Sequence, residues 1–143
     1  MPHFTPQDYD IPEHFKHWNG DPAEDHIGPF FYYRDENGTI NTALRVQAHH
    51  CNVYKITHGG ILMAFADYTL GITAMESEND QIVTISCNNE FVNHASEGDL
   101  IVGHGELVRP TRSLVFTRAT LTVGERTLLT SSGIFKRIRP SKG

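Results

Sequence analysis

Two short stretches carry residues whose types and spacing could do chemistry. One is Thr57-His58-Gly59-Gly60, directly ahead of an apolar run. The other is Asp67, the only charged side chain between Ile61 and Met75. If the run is a helix, its first N–H groups lack internal acceptors and the helix dipole places positive potential there. Glycines let a ligand atom approach that backbone closely. N–H donors from Gly59 or Gly60 would then face a carbonyl oxygen that gains negative charge, as in an oxyanion site. The plain alternative is a glycine-rich entry to a helix. Asp67 also has two explanations. A carboxylate on an apolar helix costs several kcal/mol if dry and unpaired. It is therefore either a structural cap or ion-pair partner, or a group kept because a reaction needs a base.

Spacing adds a constraint. Gly59 and Asp67 are eight residues apart, about 12 Å along a helix at 1.5 Å per residue. A water attacking a carbonyl must lie about 3 Å from both the base and the carbon. One chain does not easily bring both groups to one small molecule. Two antiparallel helices about a two-fold axis do, so a site using both residues implies a symmetric dimer or a multiple of one.

The elements that must position these groups follow from periodicity. Residues 61–76 contain no proline. Ile61, Phe65, Tyr68, Ile72 and Met75 fall on one helical stripe, and Met63, Leu70 and Ala74 on a second. A helix apolar nearly all round sits inside something. Ahead of it, FFYYRD at 30–35 and a return over 39–48 flank Asn37-Gly38, a hairpin signal. After it the period changes to two. Val83, Ile85, Cys87 and Phe91 share one face of a strand, with Thr84, Ser86, Asn88 and Glu90 on the other. Strands over 100–108, 115–123 and 128–138 follow, separated by turns at 97–99, 109–112 and 124–125. Residues 1–29 read as an N-terminal loop with one short helix around Pro12–Trp18, ahead of a single domain over 30–143. Two strands, a buried helix and four hairpin-connected strands give an α+β fold, an antiparallel sheet wrapped around one long helix.

The run Asn52-x5-His58-Gly59-Gly60-x6-Asp67, followed by the strands over 82–138, resembles the hotdog-fold acyl-CoA thioesterases of the phenylacetate-pathway (PaaI-like) type. The similarity covers about residues 30–138. It implies a curved antiparallel sheet around a central helix, dimers joined edge to edge, and a site between subunits. By the same resemblance Asp67 is the general base for water or the nucleophile. Gly59 N–H polarises the thioester carbonyl, with Gly60 as the alternative donor in second place. Asn52 orients the water or the thioester, and His58 fixes the helix start or touches substrate. A hydroxyl on the following strand matches Thr84 first and Ser86 second.

A thioester is already activated, so water, one base and one oxyanion donor suffice, without metal or cofactor beyond the coenzyme A of the substrate. Charge agrees with such a ligand. Residues 1–108 carry sixteen acids and four bases, whereas residues 109–143 carry eight bases, Arg139 and Lys142 among them, and one acid. Arg109, Arg112, Lys136 and Arg137 are candidate phosphate partners; the ordinary alternative is a solvated basic end. The net charge of −5 over 143 residues argues against a nucleic-acid surface.

Other chemistry is less well supported. His49-His50-Cys51 lacks a second cluster at zinc-ligand spacing, and adjacent side chains on an extended segment point opposite ways. Cys51 and Cys87 form no disulfide framework and read as inert thiols. The run Ile61–Met75 is too short to cross a bilayer, and the first twenty residues hold acids and prolines where a signal peptide needs an apolar stretch. A cytoplasmic homodimer or homotetramer is expected. Two further functions fit the fold. Hotdog dehydratases of 3-hydroxyacyl thioesters generally use a histidine with a separate acid in unlike surroundings, and a non-catalytic acyl-CoA-binding module has no need of Asp67.

Overall fold

A computed structural model describes residues 4–138. Seven strands form one antiparallel sheet: β1 (Lys16–His17), β2 (Phe31–Arg34), β3 (Ile40–Arg45), β4 (Gln81–Phe91), β5 (Leu100–Pro110), β6 (Leu114–Val123) and β7 (Arg126–Ile138). Their spatial order is β1-β2-β3-β5-β6-β7-β4. Two helices accompany them, α1 (Pro22–Ile27) and α2 (Gly59–Ala74). The α+β arrangement of one long helix held by a curved sheet is the one the periodicity implies.

The helix packs into the sheet because both sides have room. Gly103 on β5 has no side chain where a Cβ would strike Thr42 and Thr69, and at Gly105 a Cβ would strike Thr73. Thr69 and Thr73 turn their hydroxyls back onto the Phe65 and Thr69 carbonyls at 2.9 and 2.7 Å, which leaves neither hydroxyl unpaired in the core. Phe65, Leu44, Ile101, Leu121 and Leu129, all fully buried, close the main core around α2.

Four expectations need correction. Residues 12–18 are not a helix; they run into β1, and the helix of this segment is α1. Its start carries a capping signal, Asp21 accepting from Glu24 N–H at 3.0 Å with Pro22 in the first turn. The long helix spans Gly59–Ala74, two residues earlier than the apolar run, because the His58 side chain caps it and draws both glycines into its first turn. The link from β4 to β5 is no hairpin. β4 pairs with β7 at the far edge, and the connection returns past the helix start, where Thr57 N–H donates to Ala95 C=O at 2.7 Å. His49 and His50 lie on a short 3-10 turn rather than an extended segment. His50 is buried, accepts from Gln47 N–H at 2.9 Å and reaches Gly28 C=O at 3.1 Å, so it serves the loop structure.

Residues 4–29 pack onto the outer end of the sheet. Ile11 and Phe15 are buried against Phe31 and Ala43, and Arg45 donates to the Tyr9 carbonyl at 3.1 Å. A bond of 2.6 Å between His17 and Asp25 ties α1 to β1. This is what places α1 beside α2.

Candidate active site

A register shift in β4 decides which side chains meet Asp67. The pairing with β7 slips between Thr84 and Ser86. Thr84 lies opposite Phe135 and Cys87 opposite Gly133, so both face the helix, while Ile85 is the extra residue. The uninterrupted alternation read from the sequence is therefore wrong before the bulge. Val83 faces outward and is exposed, and Thr84 faces inward. Without that extra residue Thr84 would point away from the helix.

Thr84 uses its position. Its hydroxyl donates to Asp67 Oδ1 at 2.8 Å. Asp67 is half-buried, and no cation pairs with it among the described residues. The second hydroxyl candidate, Ser86, is on the outer face, accepting from Asn88 Nδ2 at 3.1 Å. It does not reach Asp67.

At the start of α2 the two glycines have different fates. Gly60 N–H donates to His58 Nδ1 at 3.0 Å and is spent on the cap. Gly59 N–H occupies the first helical position and has no acceptor among the described residues. Asn52 organises the preceding loop, its Oδ1 accepting from Tyr54 N–H at 2.9 Å and Ile56 N–H at 3.4 Å. Its side-chain NH2 is left without an acceptor among the described residues. The start of α2 therefore presents one open backbone donor, with His58 as the capping residue.

The basic candidates lie in different places. Arg137 is committed to Glu76 at 3.2 Å and Asp80 at 3.5 Å. Lys136 and Arg109 are exposed, with Lys136 on the outer face opposite Val83. Arg112 sits in the exposed turn after β5. The structure does not gather these four at Asp67. Arg139 and Lys142 lie outside the described residues.

A cavity of about 330 Å³ opens beside Asp67. Sequence reasoning missed part of its wall: Trp18, Asp21 and Glu24 come from the N-terminal segment, and Tyr68 from α2. Burial, reinforced by the Asp21, Asp67 and Asp25 carboxylates, pushes the Glu24 carboxyl up to about 8. Burial likewise raises the Tyr68 phenol well above its ordinary value. The Asp21…Glu24 helix-start pattern was available in the sequence; that it would bring these two acids to the same cavity as Asp67 and Tyr68 was not.

Comparisons with known proteins place the chain in a family. The model of the thioesterase superfamily matches residues 54–130, more than half of the chain. PA0474 of Pseudomonas aeruginosa, described as a candidate esterase, is 34% identical over 128 residues, covering 87% of this chain and 96% of its own. Among solved structures, the Escherichia coli PaaI protein of the phenylacetic acid degradation operon superposes with a TM-score of 0.74 at 18% identity, over 84% of this chain and 86% of its own. A hypothetical thioesterase from Streptococcus pneumoniae, solved with coenzyme A, gives 0.70 at 18% identity, over 79% and 88%. At those identities the structural likenesses speak for the hotdog fold. The family match and the 34% relative speak for descent, and the chain belongs to the thioesterase superfamily.

Proposed function

We propose that this protein is an acyl-CoA thioesterase acting as a symmetric dimer, hydrolysing a thioester to a free acid and coenzyme A. The observation that carries the reading is the Asp67 carboxylate, held by Thr84 and paired to no cation among the described residues, on the same helix as a Gly59 N–H without an acceptor.

The chemistry follows from those groups. Gly59 N–H of the partner subunit donates to the thioester oxygen, and Asn52 of the partner subunit adds a second donor. Asp67 takes a proton from water as the water oxygen bonds to the carbonyl carbon. The oxyanion re-forms the carbonyl, the C–S bond breaks, and the thiolate of coenzyme A leaves. With Asp67 as nucleophile, its oxygen makes the first bond instead and water hydrolyses the resulting anhydride. No step needs a metal or further cofactor. Thr84 holds the carboxylate towards the reacting carbon in either course. Arg109, Arg112, Lys136 and Arg137 are the candidates for phosphate contacts. A dimer of dimers repeats the same sites.

Edge strand β4 supports the dimer. It is the last strand on its side of the sheet, and Ile85, Phe91 and Val92 on or next to it are more than half exposed. No helix among the described residues is long and apolar enough to cross a membrane.

The test is free-thiol release from a panel of acyl-CoAs, run on the native protein and Asp67→Asn, with sedimentation to give the oligomeric state. Hydrolysis lowered about a thousandfold in the variant, by a folded dimer, is expected. No thiol release from any acyl-CoA, or a strict monomer, defeats the reading.

A further inference from the structure

The cavity beside Asp67 has a composition that simple acyl binding does not require. Four carboxyl groups line it, those of Asp21, Glu24, Asp67 and Asp80, and among the described residues no lysine, arginine or histidine does. Of the four, only Asp80 has a cation among the described residues, Arg137 at 3.5 Å. The remaining three come from α2 and the start of α1 and crowd one another. One of them, Glu24, retains its proton at neutral pH.

A second feature points the same way. Tyr68 also lines the cavity, is 4% exposed, and its hydroxyl has no hydrogen-bond partner among the described residues. An orphaned buried hydroxyl is rare and costs stability. The phenol lies among Glu24, Asp21 and Tyr32, which act on it electrostatically. Its oxygen can accept a hydrogen bond, and none of those acids supplies one. Trp18 adds an indole to the same wall. Carboxylates, an indole and a phenol oxygen together are what a protonated amine binds.

We infer that the cavity between α1 and α2 receives the acyl group, and that the acyl group it selects ends in a protonated amine. The ammonium lies between Asp21 and Glu24, donates to the Tyr68 oxygen and rests near the Trp18 indole. The hydrocarbon part lies against Ile72 and Ile82. At roughly 30 Å³ per small group, the volume admits an acyl chain of about ten non-hydrogen atoms. An acyl group ending in carboxylate is excluded, because it would add a negative charge to a wall that has no base. This assignment rests on the thioesterase reading for the position of the thioester, and gives that reaction its substrate class.

The test avoids turnover. Trp18 is the only tryptophan, so its fluorescence reports occupancy of the cavity, with calorimetry as a second measurement. The probes are non-hydrolysable S-alkyl thioethers of coenzyme A on one chain length, ending in methyl, hydroxyl, ammonium or carboxylate. The ammonium probe should bind roughly tenfold to a hundredfold tighter than the methyl probe, and the carboxylate probe weakest. Asp21→Asn should shrink that preference, Glu24→Gln should shrink it because a bound ammonium draws the proton off Glu24, and salt should weaken it. Asparagine still caps α1, so the second variant keeps the fold. Tyr68→Phe removes a hydroxyl without a partner and should fold normally while losing about threefold of the preference. Equal or tighter binding of the methyl or hydroxyl probe overturns the inference, as does a preference surviving both acid variants. Thiol release without any tail preference would sink this inference and leave the reaction standing. Tail preference without thiol release from any acyl-CoA would do the reverse.

Discussion

The two ends of α2 are finished to different degrees. Around Asp67 one chain supplies nearly everything: a hydroxyl donor from β4, a walled cavity, and a cover from the N-terminal segment. Around Gly59 the chain supplies the donor and leaves the surroundings open. Val53 and Tyr54 in the preceding loop are 89% and 80% exposed, and Met63 one turn along the helix is 46% exposed. Phe91 on the edge strand, whose ring would touch a Cβ on Gly59 at 3.4 Å, is half exposed as well. An oxyanion donor works where water is excluded, and these exposed neighbours shield Gly59 only in part. A complete acid end beside an incomplete donor end is the arrangement that a site shared between two copies requires.

Breaking each end separately tests that comparison, and Asp67→Asn has the largest expected effect. Gly59→Pro is the matching change at the donor end. Proline is favoured at the first helical position, and His58 before it already has φ −62° and ψ 136°, the conformation that a following proline demands. The variant should therefore fold, lack the backbone donor, and lose about a hundredfold in turnover. Mixing the two inactive proteins under subunit exchange sharpens the comparison. If each site takes Asp67 from one chain and Gly59 from the other, half of the dimers hold one intact site. About a quarter of native activity should return. No recovery despite demonstrated exchange would put both groups in one chain.

Next in size is Thr84→Val, which keeps the shape and removes the donor to Asp67. A hydrogen bond to a charged group contributes about 1.5–3 kcal/mol, so turnover should fall roughly ten- to hundredfold with little change in KM. An unchanged rate would leave Thr84 a bystander. This residue also shows how far the sequence could be read. Asp67 and Gly59 stand out because a lone acid and paired glycines interrupt an apolar period. The helix within a sheet follows from the change of period after Met75. Thr84 is different: on a regular alternation it shares a face with Ser86, and only the bulge at Ile85 turns it inward. A one-residue slip leaves no mark in composition. Glu24 and Trp18 were illegible for another reason. Their contact with α2 depends on how residues 4–29 fold back, through the Arg45–Tyr9 and His17–Asp25 bonds, and local patterns do not encode contacts at that separation.

His58 bears on the donor end with a smaller effect. Its side chain accepts from Gly60 N–H and thereby leaves Gly59 as the open donor. His58→Ala should cost about 1 kcal/mol of stability, the usual worth of a helix cap. If the cap also holds the donor in place, turnover should fall severalfold while Asp67-dependence persists. His58→Asn, which can cap in the same way, should restore both. A loss of rate that asparagine does not rescue would mean that the imidazole itself meets substrate.

The smallest expected effect belongs to the cover over the acid end and is read in stability. Glu24 titrates at about 8 in the folded protein, against an ordinary value of 4.5, chiefly through burial and then through Asp21 and Asp67. Between those two values the unfolded chain has released this proton and the folded chain still holds it. Stability must therefore fall as pH rises through that window and level off above about 8, while below about 4.5 both states are protonated and nothing is lost. In Glu24→Gln the replacing amide stays neutral at every pH. The variant should melt close to the native protein at pH 5 and above it at pH 9, by about a few degrees. Equal gaps at the two pH values would mean that Glu24 is solvated, that α1 does not seal the cavity, and that the acid end is as open as the donor end.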